Sequence, residues 1–465
     1  MRIVLISILA MVLGAPDAVS GPAPQDSSAT VFLTLDDAIR TALSENASVK
    51  VADLEIKRTG YARKGAYAAL FPQIDGSGAY QRTIKKQVMY MDFDMPGLGG
   101  GAAGEETTSR RDGFEVGRWN TWSTGISANM PLVNAQVWQS IKISDADVEL
   151  AVEKARASRL ETVTQVKKAF YTVLLAKEAL NVYKSVYDNA VENLELTQKK
   201  FNAKRASELD LTRSKTTVAN AVPSVYDAAN SVELGLWQLK AVMGVDLDTQ
   251  IDVLGSLQDY ADEMLAGFES SADLSGNSTL RELAIQAEQL SQNIKLQQYA
   301  SLPSLALAFS YSLNAMANDY KFSEYKWSPY SYVGLSLSIP IFAGGRRLNA
   351  TRQAQVQAAE LELQRTNTER QLQIALRSYL GTMETATKSY ASAASAVETA
   401  TKAYGIARQS YDVGRSTLTD LGDAQLALTQ SQLGVYQAIF NYLSAKSDLE
   451  GTIGADFQDN EQFYE

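Results

Sequence analysis

The stretch PSLALAFSYSLNAM, at residues 303–316, decides the fold of this chain. Its odd-numbered positions from Leu305 to Leu313 are apolar, whereas its even-numbered positions from Ser304 to Asn314 are small or polar. A period of two places successive side chains on opposite faces of a β-strand. Such a strand fits either a soluble sheet with one buried face or a membrane barrel with a wet lumen.

The same alternation returns at residues 329–342 and, less regularly, at residues 119–133, and a fourth strand is predicted at about residues 73–90. Strands of about ten residues suit a tilted membrane strand, and a uniformly small, polar face suits a wet lumen. Aromatic residues crowd the strand ends, as they do in the girdle of a membrane barrel. These aromatic residues are Trp119, Trp122, Tyr311, Trp327, Tyr330, Tyr332 and Phe342.

Four strands are too few to close a barrel, because the smallest transmembrane barrels have eight. An open sheet edge in lipid would leave backbone N–H and C=O groups without partners. The sequence therefore predicts that several copies of the chain pool their strands.

Two very long helices flank these strands. No proline occurs from Asn134 to Asn202 or from Asn349 to Asp412, and helices of that length would reach on the order of 100 Å. Apolar residues recur every seventh position, which is typical of helices that supercoil side by side. They are Val166, Val173, Leu180, Tyr187, Leu194 and Phe201 in the first helix, and Leu376, Met383, Tyr390, Val397, Tyr404 and Tyr411 in the second.

Small residues occupy the alternate seam positions of the second helix, at Ala386, Ala393, Ala400 and Ala407, which would let neighbouring helices approach closely. Two charged neighbours of the first seam, Lys177 and Lys184, are predicted to face solvent or a wet channel.

The two halves of the chain are an internal repeat. Residues 130–133 correspond to residues 339–342 at an offset of 209, and further on Phe201, Asp210 and Leu211 correspond to residues 210 positions later. The first repeat is predicted at 33–245, with a helical hairpin at 134–243. The second is predicted at 279–451, with strands at 303–316 and 329–342 and a hairpin at 343–450. The acidic segment 246–278 is predicted to lie between the repeats as a linker, and 452–465 as a C-terminal tail.

The N-terminus has the pattern of a secretory signal peptide. Arg2 precedes an apolar run of about ten residues, and small residues end the segment at Ser20. We therefore expect a signal peptide at 1–20 and a flexible lead at 21–32.

The composition excludes many kinds of chemistry. The 465 residues include no cysteine and no histidine, so disulfides, thiolate nucleophiles, imidazole bases and Ser-His-Asp triads are excluded. A formal charge of −10 argues against nucleic acid as a partner. The glycine-rich segment 95–106 lacks the GK[ST] ending of a phosphate-binding loop. We predict no enzyme activity, and no catalytic, cofactor or metal site.

Six motifs lie in order along essentially the whole mature length. They are LTLDDAIRTALSENASVKVADLEI at 33–56, LFPQIDGSGAY at 70–80, KKFNAKRASELDLTRSK at 199–215, SLPSLALAFSY at 301–311, LSIPIFAGGRR at 337–347 and SYDVGRSTLTDLGDAQLALTQSQ at 410–432. Together they resemble the TolC family of outer-membrane efflux channels. The resemblance implies a mixed α/β membrane protein: a trimer whose twelve-stranded β-barrel, with four strands from each chain, continues into a periplasmic coiled-coil tunnel.

The resemblance also implies roles for residues near the turns of the two hairpins. Asp420 and Asp423 match the acidic pair of the family's periplasmic constriction. Their i, i+3 spacing places them on one helix face, so three chains would form two carboxylate rings that attract cations and raise some carboxyl pKa values. On the residues alone, Asp420 could equally favour a helix start capped by Ser416 or Thr417, and Asp423 could be a solvated surface residue.

Further matches concern a latch that holds the tunnel closed and the tips that meet an adaptor protein. Asp210 and Tyr411 match latch partners, but the family's latch arginine often stands where this chain has Ser416, and here the arginine is Arg415. The latch could therefore be rewired or absent. The adaptor-contact tips comprise Lys204, Arg205, Val413, Gly414 and Arg415, and Lys204 replaces a glycine that the family pattern expects.

These expectations describe an outer-membrane duct with its helices in the periplasm. It would export small molecules and would be opened by a periplasmic adaptor and an inner-membrane transporter, with outer-membrane lipid around its barrel. Type I protein secretion is an alternative with the same architecture. A surface coiled-coil protein or adhesin would explain the heptads but not the repeated strand pairs, and an exported carboxylate enzyme would need its acid pair in a cleft.

Overall fold

The structure is a computed structural model that describes residues 30–90, 114–266 and 273–454. The predicted signal peptide and the glycine-rich segment 95–106 lie outside the described residues. The elements follow in chain order as β1 Val31–Leu33, α1 Leu35–Glu45, α2 Ala47–Ala68, β2 Gln73–Arg82, β3 Gln87–Met89, β4 Phe114–Val116, β5 Asn120–Val133, α3 Ala135–Asn202, α4 Glu208–Met243, β6 Ile251–Val253, α5 Ala261–Ala266, α6 Ser278–Tyr299, β7 Ser304–Ala317, β8 Ser328–Ser338, α7 Arg346–Asp412 and α8 Leu418–Ile453.

The chain divides into two compact units, which are described separately. One unit comprises Met1–Ala47, Thr162–Glu269 and Leu380–Asp448, and the other comprises Ser48–Glu161, Ser270–Tyr379 and Leu449–Glu465.

The second unit contains an antiparallel sheet with the strand order β2-β5-β7-β8. Residues paired across neighbouring strands lie on the same face of a sheet. The register pairs apolar residues mainly with apolar ones and small or polar residues mainly with one another, so each kind forms a continuous face across the four strands. One face is apolar and includes Ile74, Ile126, Phe309, Tyr311, Val333, Leu335 and Leu337. The opposite face is small and polar and includes Ser77, Ser123, Ser127, Asn129, Ser310, Ser312 and Ser336.

Two predicted strand ends were wrong. The strand expected to extend over about residues 73–90 ends at Arg82, and residues 87–89 form the short strand β3, which pairs with β4 instead. The strand expected to reach residue 342 ends at Ser338, two residues before Pro340, whose ring nitrogen has no hydrogen to donate to a ladder. Pro131, inside β5, lies at a register shift, where a missing N–H is tolerated.

The first unit contains α4, α8 up to residue 448, the parts of α3 and α7 that start at residues 162 and 380, and the turns that join these helices. The residues of the heptad seams are buried or half-buried there. Val166 and Val173 are fully buried, and Met383, Tyr404 and Tyr411 are buried too. In the second hairpin, a core cluster joins α7 to α8 through Ala400, Tyr404, Tyr411, Leu421 and Leu428. Of the helices that the structure describes, none combines the length and apolar character needed to cross a membrane.

The predicted flexible lead at 21–32 was wrong at its C-terminal end. Val31 and Phe32 belong to β1, which pairs in parallel with β6. Thr34 and Asp37 then form a capping box that starts α1. The pairing partner lies about 220 residues away, so the local composition of the lead could not reveal it.

Lys177 holds this small sheet, which corrects the expectation that it faces solvent or a channel. Its ammonium lies 2.6 Å from the Asp252 carboxylate and donates to the Val253 carbonyl at 2.8 Å. A lysine at the edge of the seam therefore anchors the segment between the repeats to α3.

Each repeat closes with the same asparagine contact. In the first unit, the Asn46 side-chain amide donates to the Val242 carbonyl at 2.6 Å, and α4 ends at Gly244 with φ of 75°. A Cβ at Gly244 would lie 2.7 Å from the Glu45 carbonyl oxygen. The position therefore requires glycine, both because a side chain would clash and because the φ is positive.

In the second unit, Asn277 repeats the role of Asn46. Its amide donates to the Thr452 carbonyl at 2.7 Å, and α8 is followed by Gly454, again with φ of 75°. A Cβ at Gly454 would lie 2.3 Å from the Gly276 carbonyl. The internal repeat of the sequence is therefore also a repeat of individual contacts.

Candidate functional site

The candidate site is built on the turns between the long helices, in the first unit. At the first turn, Lys204 has φ of 57°, and Arg205 N–H donates to the Lys200 carbonyl at 2.7 Å. At the second turn, Gly414 has φ of 77°, and Arg415 N–H donates to the Ser410 carbonyl at 2.8 Å. Both turns satisfy the last carbonyls of the preceding helix with a left-handed residue, as in a Schellman motif.

The helices that leave the two turns start with the same cap. Asp210 N–H donates to the Ser207 hydroxyl at 3.1 Å, and that hydroxyl donates to the Asp210 carboxylate at 2.7 Å. Asp420 and Thr417 make the same two contacts at the same two distances. These are reciprocal capping boxes, which fix the entry of the chain into α4 and α8.

Asp420 is exposed, and the cap explains its electrostatics. The Thr417 N–H and the Thr417 hydroxyl both donate to its carboxylate and hold the pKa of Asp420 below its ordinary value. Both donors reach the same oxygen, Oδ2, so the other remains available to solvent or to a cation.

Asp423 lies one turn further along α8 and is exposed as well. Among the residues that the structure describes, none makes a hydrogen bond or an ion pair with its carboxylate. The two acids lie on one helix face, as their spacing predicts.

The two predicted latch partners are not joined to each other in the described part of a single chain. Tyr411 is buried, and its hydroxyl lies 2.7 Å from the Thr197 hydroxyl, which also accepts a hydrogen bond from Ser214 at 3.2 Å. Asp210 is engaged by its own cap. The buried hydroxyls instead connect α7 with α3 and α4.

A lysine completes this buried contact between the two hairpins. The Lys200 ammonium lies 3.9 Å from the centre of the Tyr411 ring and donates to the Tyr411 carbonyl. Burial lowers the pKa of Lys200, and the nearby Asp412 carboxylate acts in the opposite direction. The cation and the ring form a cation–π pair close to the turn.

Sequence reasoning missed Thr197, Ser214 and Lys200. One signal was present: Thr197 corresponds, at the offset of 210, to Ala407, one of the small seam residues of the second helix. A polar residue at a seam position that is otherwise small indicates a buried hydrogen bond.

The predicted tip residues lie on the surface of the two turns. Lys204, Arg205, Val413, Gly414 and Arg415 are all exposed. A cavity of about 320 Å³ opens nearby between α3, α4 and α8. Its lining is mixed and includes Tyr183, Asn193, Ser214, Asn220, Leu421 and Gln425. Within the described ranges, no three carboxylates converge as a metal site would require.

Comparison with known proteins places this geometry in a family. The family model described as outer membrane efflux protein matches residues 38–245 and 270–455, one segment for each repeat. The outer membrane protein TolC of Vibrio cholerae is 23% identical over 341 residues, which cover 71% of this chain and 76% of that protein. The alkaline protease secretion protein AprF of Pseudomonas aeruginosa is 22% identical over 343 residues, covering 73% and 71%.

Solved structures agree on the fold. The CmeC outer membrane channel of Campylobacter jejuni superposes with a TM-score of 0.69 at 18% identity, covering 92% of this chain and 86% of that channel. The family resemblance and the fold of a strand sheet continued into long helices are confirmed. Since the family model spans most of both repeats, the chain belongs to the outer membrane efflux protein family.

Proposed function

We propose that three copies of this chain form a passive exit duct through the outer membrane, with a twelve-stranded barrel continued by a helical tunnel in the periplasm. The observation that carries the proposal is the four-stranded sheet of the second unit. Its outer strands, β2 and β8, each have one edge with no partner strand among the described residues. Energy for export would come from a partner pump, so the duct itself needs no catalytic step.

The directions of the edge strands support this assembly. Every neighbouring pair in the sheet is antiparallel, so with four strands the two edges run in opposite directions. Strand β8 of one copy can therefore pair with β2 of the next in the same antiparallel pattern. Closure satisfies the backbone groups that an open edge would leave unpaired in lipid. The apolar face of the sheet then meets lipid and the small polar face lines the lumen.

The hairpin turns would form the closed end of the tunnel. Asp420 and Asp423 from three copies would line the aperture, where stacked carboxylates favour cations. Asp210, Tyr411 and Arg415 would form the latch. The hydrogen bond between Tyr411 and Thr197 supports a role for Tyr411 in holding the two hairpins together.

The exposed turn residues would contact a periplasmic adaptor, which with an inner-membrane transporter would open the aperture. These residues are Lys204, Arg205, Val413, Gly414 and Arg415. The cavity between α3, α4 and α8 adds a concave surface beside them. Small toxic molecules are the proposed cargo.

Protein secretion is the second candidate, and one relative favours it. AprF carries the name of an alkaline protease secretion protein. The two functions would use the same duct with different inner-membrane partners. Deleting the gene separates them: loss of efflux would sensitise cells to small toxic compounds, whereas loss of secretion would retain a protein substrate in the cell.

The duct is tested with the purified full chain in a planar lipid bilayer. We expect discrete conductance steps, together with a mass three times that of one chain in detergent. A monomer in solution, or the absence of conductance steps with protein that has inserted, would contradict the proposal.

A further inference from the structure

The four strands of the sheet carry only two charged side chains, Asp75 and Arg82. The register places them on opposite faces. Asp75 pairs with Ser127 on the small polar face, whereas Arg82 pairs with Asn120 in the rows of the apolar face. Arg82 is thus the single charge on the side of the sheet that would meet lipid.

Arg82 lies where the strands end on the side that is remote from the long helices. Helix α2 leads into the start of β2, and β5 leads directly into α3, so the helices connect to the opposite ends of these strands. Arg82 is the last residue of β2, and its partner Asn120 is the first of β5. If the duct proposed above is correct, on which this inference rests, Arg82 lies at the outer surface of the membrane.

Aromatic side chains surround Arg82 at this end of the strands. The rings of Tyr80 and Trp122 are 4.3 Å apart, and Trp122 meets Phe322 at 5.2 Å. The Arg82 guanidinium lies 5.5 Å from the centre of the Tyr320 ring and donates to its hydroxyl. Aromatic girdles mark the depth of lipid headgroups. The guanidinium is therefore positioned at headgroup level on the lipid side.

The loops beside Arg82 add further cations. Residues 82–90, 114–119 and 318–327 contain six basic and three acidic side chains, and the intervening residues 91–113, which lie outside the described part of the chain, contain two basic and five acidic ones. Two of the acids are near cations: Glu115 lies 3.7 Å from Lys86, and Glu324 lies 4.0 Å from Lys321. Among the described residues, the remaining cations have no carboxylate within 4.0 Å; they are Arg82, Lys85, Arg118 and Lys326.

We propose that this cationic rim, formed by Arg82, Lys85, Arg118 and Lys326, binds the phosphate groups of a glycolipid in the outer leaflet. A guanidinium offers five N–H donors in a planar fork that matches phosphate oxygens, and protein partners leave most of the Arg82 donors free. Each basic side chain next to a membrane increases the affinity for anionic headgroups by about fivefold. The apolar face below Arg82 would contact the acyl chains of the same lipid.

The test is native mass spectrometry of the purified full chain with bisphosphorylated lipid A in detergent. A triple variant, Arg82→Gln with Lys85→Gln and Arg118→Gln, should lose about a hundredfold in affinity, since it removes three charges. A matched control removes three exposed cations from the helical hairpins, at Lys199, Lys388 and Lys402, and should bind lipid A like the wild type.

Two further arms identify the chemistry that is recognised. Lipid A from which both phosphates have been removed should bind as weakly to the wild type as bisphosphorylated lipid A binds to the triple variant. Inorganic phosphate at millimolar concentration should compete only weakly, because it lacks the acyl chains; full competition would overturn the assignment to a lipid.

Equal binding of phosphorylated lipid A to wild type and triple variant would overturn the proposal. If the triple variant does not fold, the single exposed variants Lys85→Gln and Arg118→Gln, each expected to lose about fivefold, decide the question instead. Conductance is recorded separately, so failure of the duct and failure of the lipid site give different results.

Discussion

The two hairpin turns share one backbone geometry but differ in sequence and burial. Both end a long helix with a left-handed residue and start the next with a capping box. The first turn uses Lys204 where the second uses Gly414. The corresponding residues one turn earlier also differ, since Phe201 is half-buried, whereas Tyr411 is buried and hydrogen-bonded to Thr197. The two turns therefore have the same backbone conformation, but the contacts that join the two hairpins are made mainly by Tyr411.

The largest expected effect comes from Tyr411. Replacing it with Ala removes a buried ring, its hydroxyl contact and the surface on which Lys200 lies, so we expect about 3–5 kcal/mol less local stability. Phe201→Ala, at the corresponding position, should cost about half as much, because Phe201 is only half-buried. Hydrogen exchange of the amides around each turn measures both. Equal costs would show that burial does not distinguish the turns.

Tyr411→Phe serves as the control, because it keeps the ring and removes only the hydroxyl. It should cost about 1 kcal/mol, the usual net value of one hydrogen bond. If Tyr411 acts in the latch, the resting conductance of the channel should rise as well. An unchanged resting conductance would remove Tyr411 from the latch.

The left-handed turn residues come next. Gly414→Ala should destabilise the second turn by about 1–2 kcal/mol, and the cost is purely conformational, since an added Cβ would have nothing within 4 Å. Lys204→Gly should stabilise the first turn by about 0.5–1 kcal/mol, because it relieves a left-handed lysine. Rates of limited proteolysis at the two turns measure these changes. Stabilisation by Gly414→Ala would contradict the assigned φ.

The caps should respond equally, because their distances are the same. Ser207→Ala and Thr417→Ala each remove the hydroxyl of a capping box, and each should cost about 1 kcal/mol. Amide exchange in the first turns of α4 and α8 reports the losses. A large effect at one turn and none at the other would show that the caps are not equivalent.

The acids of the second turn are expected to affect ion selectivity more than stability. Asp420→Asn combined with Asp423→Asn should reduce the cation preference of the open channel, measured as the reversal potential in a salt gradient. Asp227→Asn, at an exposed position of α4 with no role in the latch or the aperture, is the control and should leave selectivity unchanged. An unaltered reversal potential in the double variant would remove both acids from the aperture.

The smallest effect is a dependence of the second cap on pH. Since the pKa of Asp420 is lower in the folded chain than its ordinary value of 3.8, its ionised form stabilises the fold. That stabilisation is complete above the unfolded pKa and is lost as pH falls through the folded pKa. Protection of the first turn of α8 should therefore be constant from neutral pH to about pH 5 and decline below about pH 4. The Asp420→Asn variant should lack this decline.

Much of the fold could be predicted because its signals are periodic. The alternation at 303–316 and the heptads ending at Phe201 and Tyr411 depend on neighbouring residues, and each matches a described strand or helix. The offset of 210 between the repeats places both turns at corresponding positions of the sequence. Pairings between distant segments left no such local signal, so the strand at Val31–Leu33 and the role of Lys177 were missed.

The candidate site was only partly predictable for the same reason. The i, i+3 spacing of Asp420 and Asp423 can be read directly from the sequence. The contact between Tyr411 and Thr197, by contrast, joins residues that are 214 positions apart. Which hydroxyls meet depends on how α3 and α7 pack. The one sequence signal for this hydrogen bond was Thr197, a polar residue at a seam position that is small in the second repeat.

The edges of β2 and β8 that have no partner strand among the described residues have a consequence for genetics. If three copies assemble as proposed, random mixing in a cell that makes equal amounts of a normal and a defective chain leaves about one assembly in eight entirely normal. A variant that keeps β2 and β8 intact but damages a turn would enter these mixed assemblies, whereas one that damages the edges would be excluded from them. Turn variants should therefore be dominant over the normal gene, and edge variants recessive.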